Sequence, residues 1–214
     1  MKNLNHKVVS EDFYDKQNTI SVLNNIFIYS IIVGSCLIKF PQIIKIINNK
    51  NVVGISFVTI YLELFIASSL IAFSIKENIN IKLFLDVILI NTQNIFIVLL
   101  MWRYSNKYSK FTKFIKICFY VFLNLYLIFG LPNVLVPFLG LVSAPISCFS
   151  KIPQIYLNHK NKNTGNLSLI TFFFVFLGNL ARIFTIFFSS NNKIYLVNCI
   201  FICTLNLTIL LQVR

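Results

Sequence analysis

Long apolar blocks separated by short polar stretches run along almost the whole chain. They predict seven helices, at about 20–47, 54–75, 81–102, 114–131, 134–158, 167–188 and 194–213, each near the roughly 20 residues that cross a bilayer core. The first 19 residues are polar and mixed in charge. They hold no early apolar core with a small-residue cleavage site, so the first apolar block is expected to act as the insertion signal.

Polar residues inside the blocks are few, and their places define the candidates. Lys39, Pro41 and Gln42 lie near the end of the first block, and Glu63 lies in the second. Asp86 and the run Asn91-Thr92-Gln93-Asn94 lie in the third. Lys151, Pro153 and Gln154 close the fifth, which also carries Pro137 and Pro145 and so predicts a bent helix. Asn179 and Arg182 lie in the sixth and Asn206 in the seventh. The fourth block is almost wholly apolar and reads as a connector.

Sliding the chain by 112 positions aligns it with itself without a gap. Lys39 then falls on Lys151, Pro41-Gln42-Ile43 on Pro153-Gln154-Ile155, and Asn49-Lys50-Asn51 on Asn161-Lys162-Asn163. From Ser35 to Thr59 there are eleven identities in 25 positions. The register continues into the third helix of each half, where Thr92 meets Thr204, Asn94 meets Asn206 and Asp86 meets Asn198. Self-similarity of this kind marks a repeat architecture. The expected fold is an all-α membrane protein of seven transmembrane helices: two three-helix bundles joined by a linker helix. An odd linker leaves the bundles parallel, which places a binding site between them near the midplane. The organisation is a polar N-terminal stretch over 1–19, a first repeat over 20–103, a basic loop and linker helix over 104–133, and a second repeat over 134–214.

Composition supports the membrane reading. Hydrophobic residues make up 57% and charged residues 12% of the 214, too little charge to clothe a soluble domain. The net charge is +13, but the basic residues sit in short loops with no binding stripe or motif. Nucleic acid is therefore not an expected partner, and membrane lipid is. Loops 1–2, 3–4 and 5–6 with the C-terminus hold roughly ten Lys and Arg, against about six in the N-terminal stretch and the other loops. That excess predicts a lumenal or external N-terminus and a cytosolic C-terminus. The five cysteines all fall inside apolar blocks and are expected to be small buried hydrophobes, with no disulfide framework.

A charge inside a bilayer is expensive unless it is paired or hydrated. Counting about 1.5 Å of rise per residue puts Lys39 and Glu63 roughly 12–14 Å from the cytosolic boundary, and Asp86 and Arg182 about 22–26 Å from it. Two opposite-charge pairs at two depths follow, with Lys151 left over. The alternatives for these charges are structural pairing and recognition of an anionic group such as a phosphate. Asn91, Gln93, Asn94 and Asn206, with Asn179, offer amides suited either to sugar hydroxyls or to interhelical hydrogen bonds. Pro41-Gln42 and Pro153-Gln154 are candidate hinges, because a proline removes a helix hydrogen bond. There is no Ser-His-Asp order, no Gly-rich phosphate loop and no metal spacing. Neither an enzyme nor a cofactor is expected.

The repeated Lys-x-Pro-Gln-Ile resembles the PQ-loop family of membrane proteins, which shares its three-plus-one-plus-three plan with the sugar-exporting SWEET proteins. One branch, concerned with mannose-P-dolichol utilization, is similar at Gly34 to Gln42, at Gly54-Ile55-Ser56 and Leu62-Glu63-Leu64, and above all from Thr164 to Thr185. The similarity spans about Ser21 to Gln212. It implies an endoplasmic reticulum protein needed for the use of dolichol-phosphate mannose and glucose in glycan and GPI-anchor assembly, with dolichol-phosphate sugars or glycosyltransferases as partners. Members of that branch often have a degraded second Pro-Gln motif, whereas this chain keeps it intact. The intact motif favours the alternative, a transporter of a small solute such as a sugar or amino acid, with Glu63 or Asp86 coupling to protons. The sequence leaves room for an oligomer.

Overall fold

A computed structural model describes the backbone of residues 2–52, 57–105, 108–146, 155–156 and 169–212, with side chains from residue 17 onward apart from 169–172 and 174. Lys151, Pro153 and Gln154 lie outside the described residues, as do Cys148 and the stretch from Thr164 to Ser168. All regular structure among the described residues is helical.

The first helix, α1, spans Lys2–Ile38, and α2 continues it as Phe40–Asn49 after a break at Lys39. Helical hydrogen bonding runs back to Lys2 because residues 2–19 contain neither Pro nor Gly to stop it. Next come α3 (Phe57–Lys76) and α4 (Leu85–Tyr104). A 3₁₀ turn at Ile81–Leu83, capped by the Asn80 side chain accepting from Lys82 N–H, leads into α4. The linker helix α5 is Lys110–Leu125, earlier than the predicted start because the Ser109 hydroxyl accepts from Thr112 N and caps it. A π-helical stretch at Tyr126–Gly130 extends it to the far side. The fifth block gives a 3₁₀ turn (Asn133–Leu135), then α6 (Val136–Leu141), with apolar helix continuing to Ile146. The last two are α7 (Leu169–Ser189) and α8 (Lys193–Gln212).

Among the described residues, five helical stretches are long and apolar enough to cross a bilayer: 17–49, 57–76, 85–104, 110–130 and 193–212. The described apolar helix at 133–146 and α7, apolar over 175–189, occupy the fifth and sixth places of the seven-helix plan.

Packing follows the repeat. In the first half α4 lies between α1 and α3; in the second, α8 lies between α6 and α7. Between the halves, α1 packs on α7 and α3 packs on α6. In the 112-residue register α1 corresponds to the fifth helix and α3 to α7, so these are one contact seen from each repeat. The α1–α7 contact carries a T-shaped pair, Phe27 on Phe184, with ring centres 5.2 Å apart. The α3–α6 contact is close because Gly140 has no side chain: a Cβ there would stand 2.9 Å from the ring of Phe73, which is fully buried. Small residues admit such close approach where no hydrophobic effect drives helices together.

The cysteines divide. Cys199 and Cys203 are buried as expected, but Cys36 and Cys118 are exposed on the helix surfaces. Apolar surroundings in the sequence did not distinguish a lipid-facing side from a protein-facing one.

Candidate functional site

The break in the first span is built by a side chain from a neighbouring helix. In an unbroken helix Lys39 N–H would donate to the carbonyl of Ser35 four residues back. Here Lys39 N donates to Gln93 Oε1 at 3.2 Å, and Gln93 Nε2 donates to Ser35 O at 2.9 Å. The amide of α4 is wedged into the ladder of α1, and an inserted side chain is a recognised cause of a sharp kink. Pro41 follows in the first turn of α2, where its missing N–H costs nothing. Helical bonding resumes with Ile43 N to Lys39 O at 3.0 Å. The hinge thus has three parts: Lys39 as the broken residue, Pro41 preventing continuity, and Gln93 satisfying both freed backbone groups. Gln42 sits half-buried in the first turn of α2.

Both expected charge pairs form. Lys39 Nζ donates to Glu63 Oε2 at 2.6 Å, tying the hinge to α3. Arg182 on α7 pairs with Asp86 at the start of α4, and its other terminal nitrogen donates to the Tyr195 hydroxyl at 3.3 Å. The second pair crosses the repeats and is the deeper: the Asp86 side chain is 4% exposed, against 34% for Glu63.

The amides have separate fates. Asn91 and the Tyr120 hydroxyl share hydrogen bonds at 3.0 and 3.3 Å, and Ser68 joins them at 3.2 Å. Asn179 turns back on its own helix, donating to Val175 O at 2.8 Å. Asn198, the repeat counterpart of Asp86, bonds Ser143. Asn94 and Asn206, also repeat counterparts, are both buried at the middle helix of their bundles. Among the described residues neither polar atom of the Asn94 amide has a hydrogen-bond partner.

Two segments of the chain, residues 23–83 and 135–195, match the model of the PQ loop repeat. Their starts differ by 112 positions, the offset read from the sequence. The chain belongs to the PQ-loop repeat family. For a PQ-loop protein the arrangement separates tasks: the first repeat holds a side-chain-wedged hinge, the repeats are joined by a buried ion pair, and each middle helix carries a buried asparagine.

Sequence reasoning missed Tyr120, Tyr195 and Ser143. A hydroxyl in an apolar block is a weak signal because it can bond within its own helix, as Ser35, Ser69 and Thr185 do. Of the two uses expected for the Gln93 amide, sugar hydroxyls or interhelical hydrogen bonds, the structure shows the second, with both ends serving the hinge.

Proposed function

We propose that this PQ-loop protein handles dolichol-phosphate-linked mannose or glucose in the endoplasmic reticulum membrane, aiding reorientation of the sugar headgroup between the two repeats. The observation that carries the reading is Asn94. A buried polar group without a partner costs roughly 1–3 kcal/mol, and its placement in the middle helix, with Asn206 at the equivalent position, suits a ligand rich in hydroxyls. The Gln93 wedge supports movement, since exchanging it for the Lys39–Ser35 helix bond lets the first span bend or straighten without stranding backbone groups. The branch-like stretch from Thr164 to Thr185, similar to the mannose-P-dolichol utilization defect protein, supports the ligand class.

Charge refines the assignment. Lys39 and Arg182 are each neutralised within the protein, so Lys151 is the residue proposed to meet the phosphate. Its register partners support this, because the position matching Glu63 is Val175. The reaction is rearrangement without covalent chemistry, and the protein is not an enzyme in this reading. The N-terminus is lumenal and the C-terminus cytosolic.

The test is reconstitution. With protein in vesicles, a membrane-impermeant diol oxidant should reach all of the dolichol-phosphate mannose; without it, only the outer half. Lys151→Leu should abolish the gain while the protein still folds. Oxidation that stops at half with wild-type protein would reject the proposal. Uptake of a free sugar or amino acid by the same vesicles would establish instead the transporter reading that the intact second Pro-Gln motif favours.

A further inference from the structure

The linker helix α5 stands off the first repeat. None of its residues is buried. Between it and helices α3 and α4 lies a cavity of about 680 Å³, lined by Leu64, Phe65, Val98, Leu99 and Trp102 on one side and by Ile117 on α5. Two side chains bridge the gap. The Tyr120 hydroxyl reaches Ser68 and Asn91. One turn nearer the start of α5, the Lys116 ammonium lies 3.9 Å from the ring centre of Tyr108 and 4.7 Å from that of Tyr61. An apolar space of this kind excludes water, and in a bilayer the adjoining medium is hydrocarbon.

The charge at its mouth is unbalanced. Lys113 and Lys116 lie there, three residues apart on α5, and the chain contains no Asp or Glu after Asp86. The nearest intramembrane acids are engaged elsewhere, Glu63 with Lys39 and Asp86 with Arg182. Lys113 instead donates to the Trp102 carbonyl at 2.6 Å. A basic mouth on an apolar groove fits a phosphate attached to a chain, and basic pockets between membrane helices bind anionic headgroups.

We propose that an anionic glycerophospholipid seats in this groove, one acyl chain between α5 and the α3–α4 face and its phosphate at Lys116. The site lies apart from the hinge and from the contacts between repeats. The lipid fills the space that α5 leaves open and fastens the linker to the first repeat.

Trp102 lines the groove and is the only tryptophan in the chain, so its fluorescence reports occupancy. The full-length protein is placed in phosphatidylcholine vesicles containing about a tenth of a brominated-chain lipid. Brominated phosphatidylserine should quench Trp102 with about fivefold higher apparent affinity than brominated phosphatidylcholine, the preference expected from one lysine at the surface. Lys116→Gln should remove the preference, while Lys116→Arg and the exposed Lys110→Gln keep it. Ile117→Phe, which narrows the groove, should reduce quenching by both lipids. Equal quenching by the two lipids in wild type would overturn the proposal. So would equal losses in Lys116→Gln and Lys110→Gln, which would indicate diffuse surface charge, or loss of the preference in Lys116→Arg.

Discussion

The two repeats share a plan and differ in how they hold their polar residues. Asp86 and Asn198 occupy one repeat position. The acid reaches across to Arg182 of the other repeat, whereas the amide stays within its own, on Ser143. Gln93 wedges the first hinge, and its counterpart is Leu205, which can donate and accept nothing. Lys39 has Glu63, while Lys151 has Val175 at the matching position. A parallel repeat makes two similar bundles. These differences make the first a neutralised, wedged hinge, while the sequence of the second keeps the lysine without the matching acid or amide. The lysine before each Pro-Gln and the asparagine of each middle helix are common to both repeats, whereas the acids that pair with charges belong to the first alone.

Each difference can be broken by copying a residue from one repeat into the other. The largest effect is expected at the cross-repeat pair. Arg182→Leu, which copies Leu70, leaves the nearly buried Asp86 uncompensated and should cost about 3–5 kcal/mol. Adding Asp86→Asn, which copies Asn198, should recover much of that loss. Unfolding by graded SDS in mixed micelles measures both.

Gln93→Leu, copying Leu205, should come next, at about 1–3 kcal/mol, because two backbone groups lose their partners. If α1 then closes its ladder, Lys39 N–H bonds Ser35 O and its hydrogen exchange slows below that of wild type. Faster exchange in the variant would show that the hinge needs the wedge to stay folded.

The smallest effect is expected for Glu63→Val, copying Val175. The change leaves Lys39 unpaired within the span, but its long side chain lies about ten residues from the end of α2 and can reach toward the headgroups, so the cost should be about 1–2 kcal/mol. The charge of Lys39 is freed by this change, and ligand handling should alter more than stability does. Lys39→Leu combined with Glu63→Val should restore normal handling if the pair is structural.

Much of this was legible in the sequence, for a physical reason. Helix rise converts residue number into depth, so the sequence alone matches Lys39 with Glu63 and Asp86 with Arg182. The 112-residue register likewise required only identities. Rotation about each helix axis was not legible. These helices are apolar on nearly all sides, so no polar stripe shows which face meets protein. Gln93 and Asn94 are neighbours in sequence, yet one turns to the backbone of α1 and the other into the interior. Cys36 and Cys118 escaped for the same reason. The break at Lys39, two residues before Pro41, needed knowledge of which side chain enters the ladder.

The shared asparagines are the residues proposed to meet the sugar. Replacing the endogenous gene with Asn94→Leu or Asn206→Leu, followed by profiling of lipid-linked oligosaccharides, tests that role. Both variants should accumulate truncated species lacking the mannose and glucose added from dolichol-phosphate donors, with normal protein abundance. Full-length oligosaccharide in both, in cells where deletion of the gene truncates it, would contradict the assignment of these amides to the ligand.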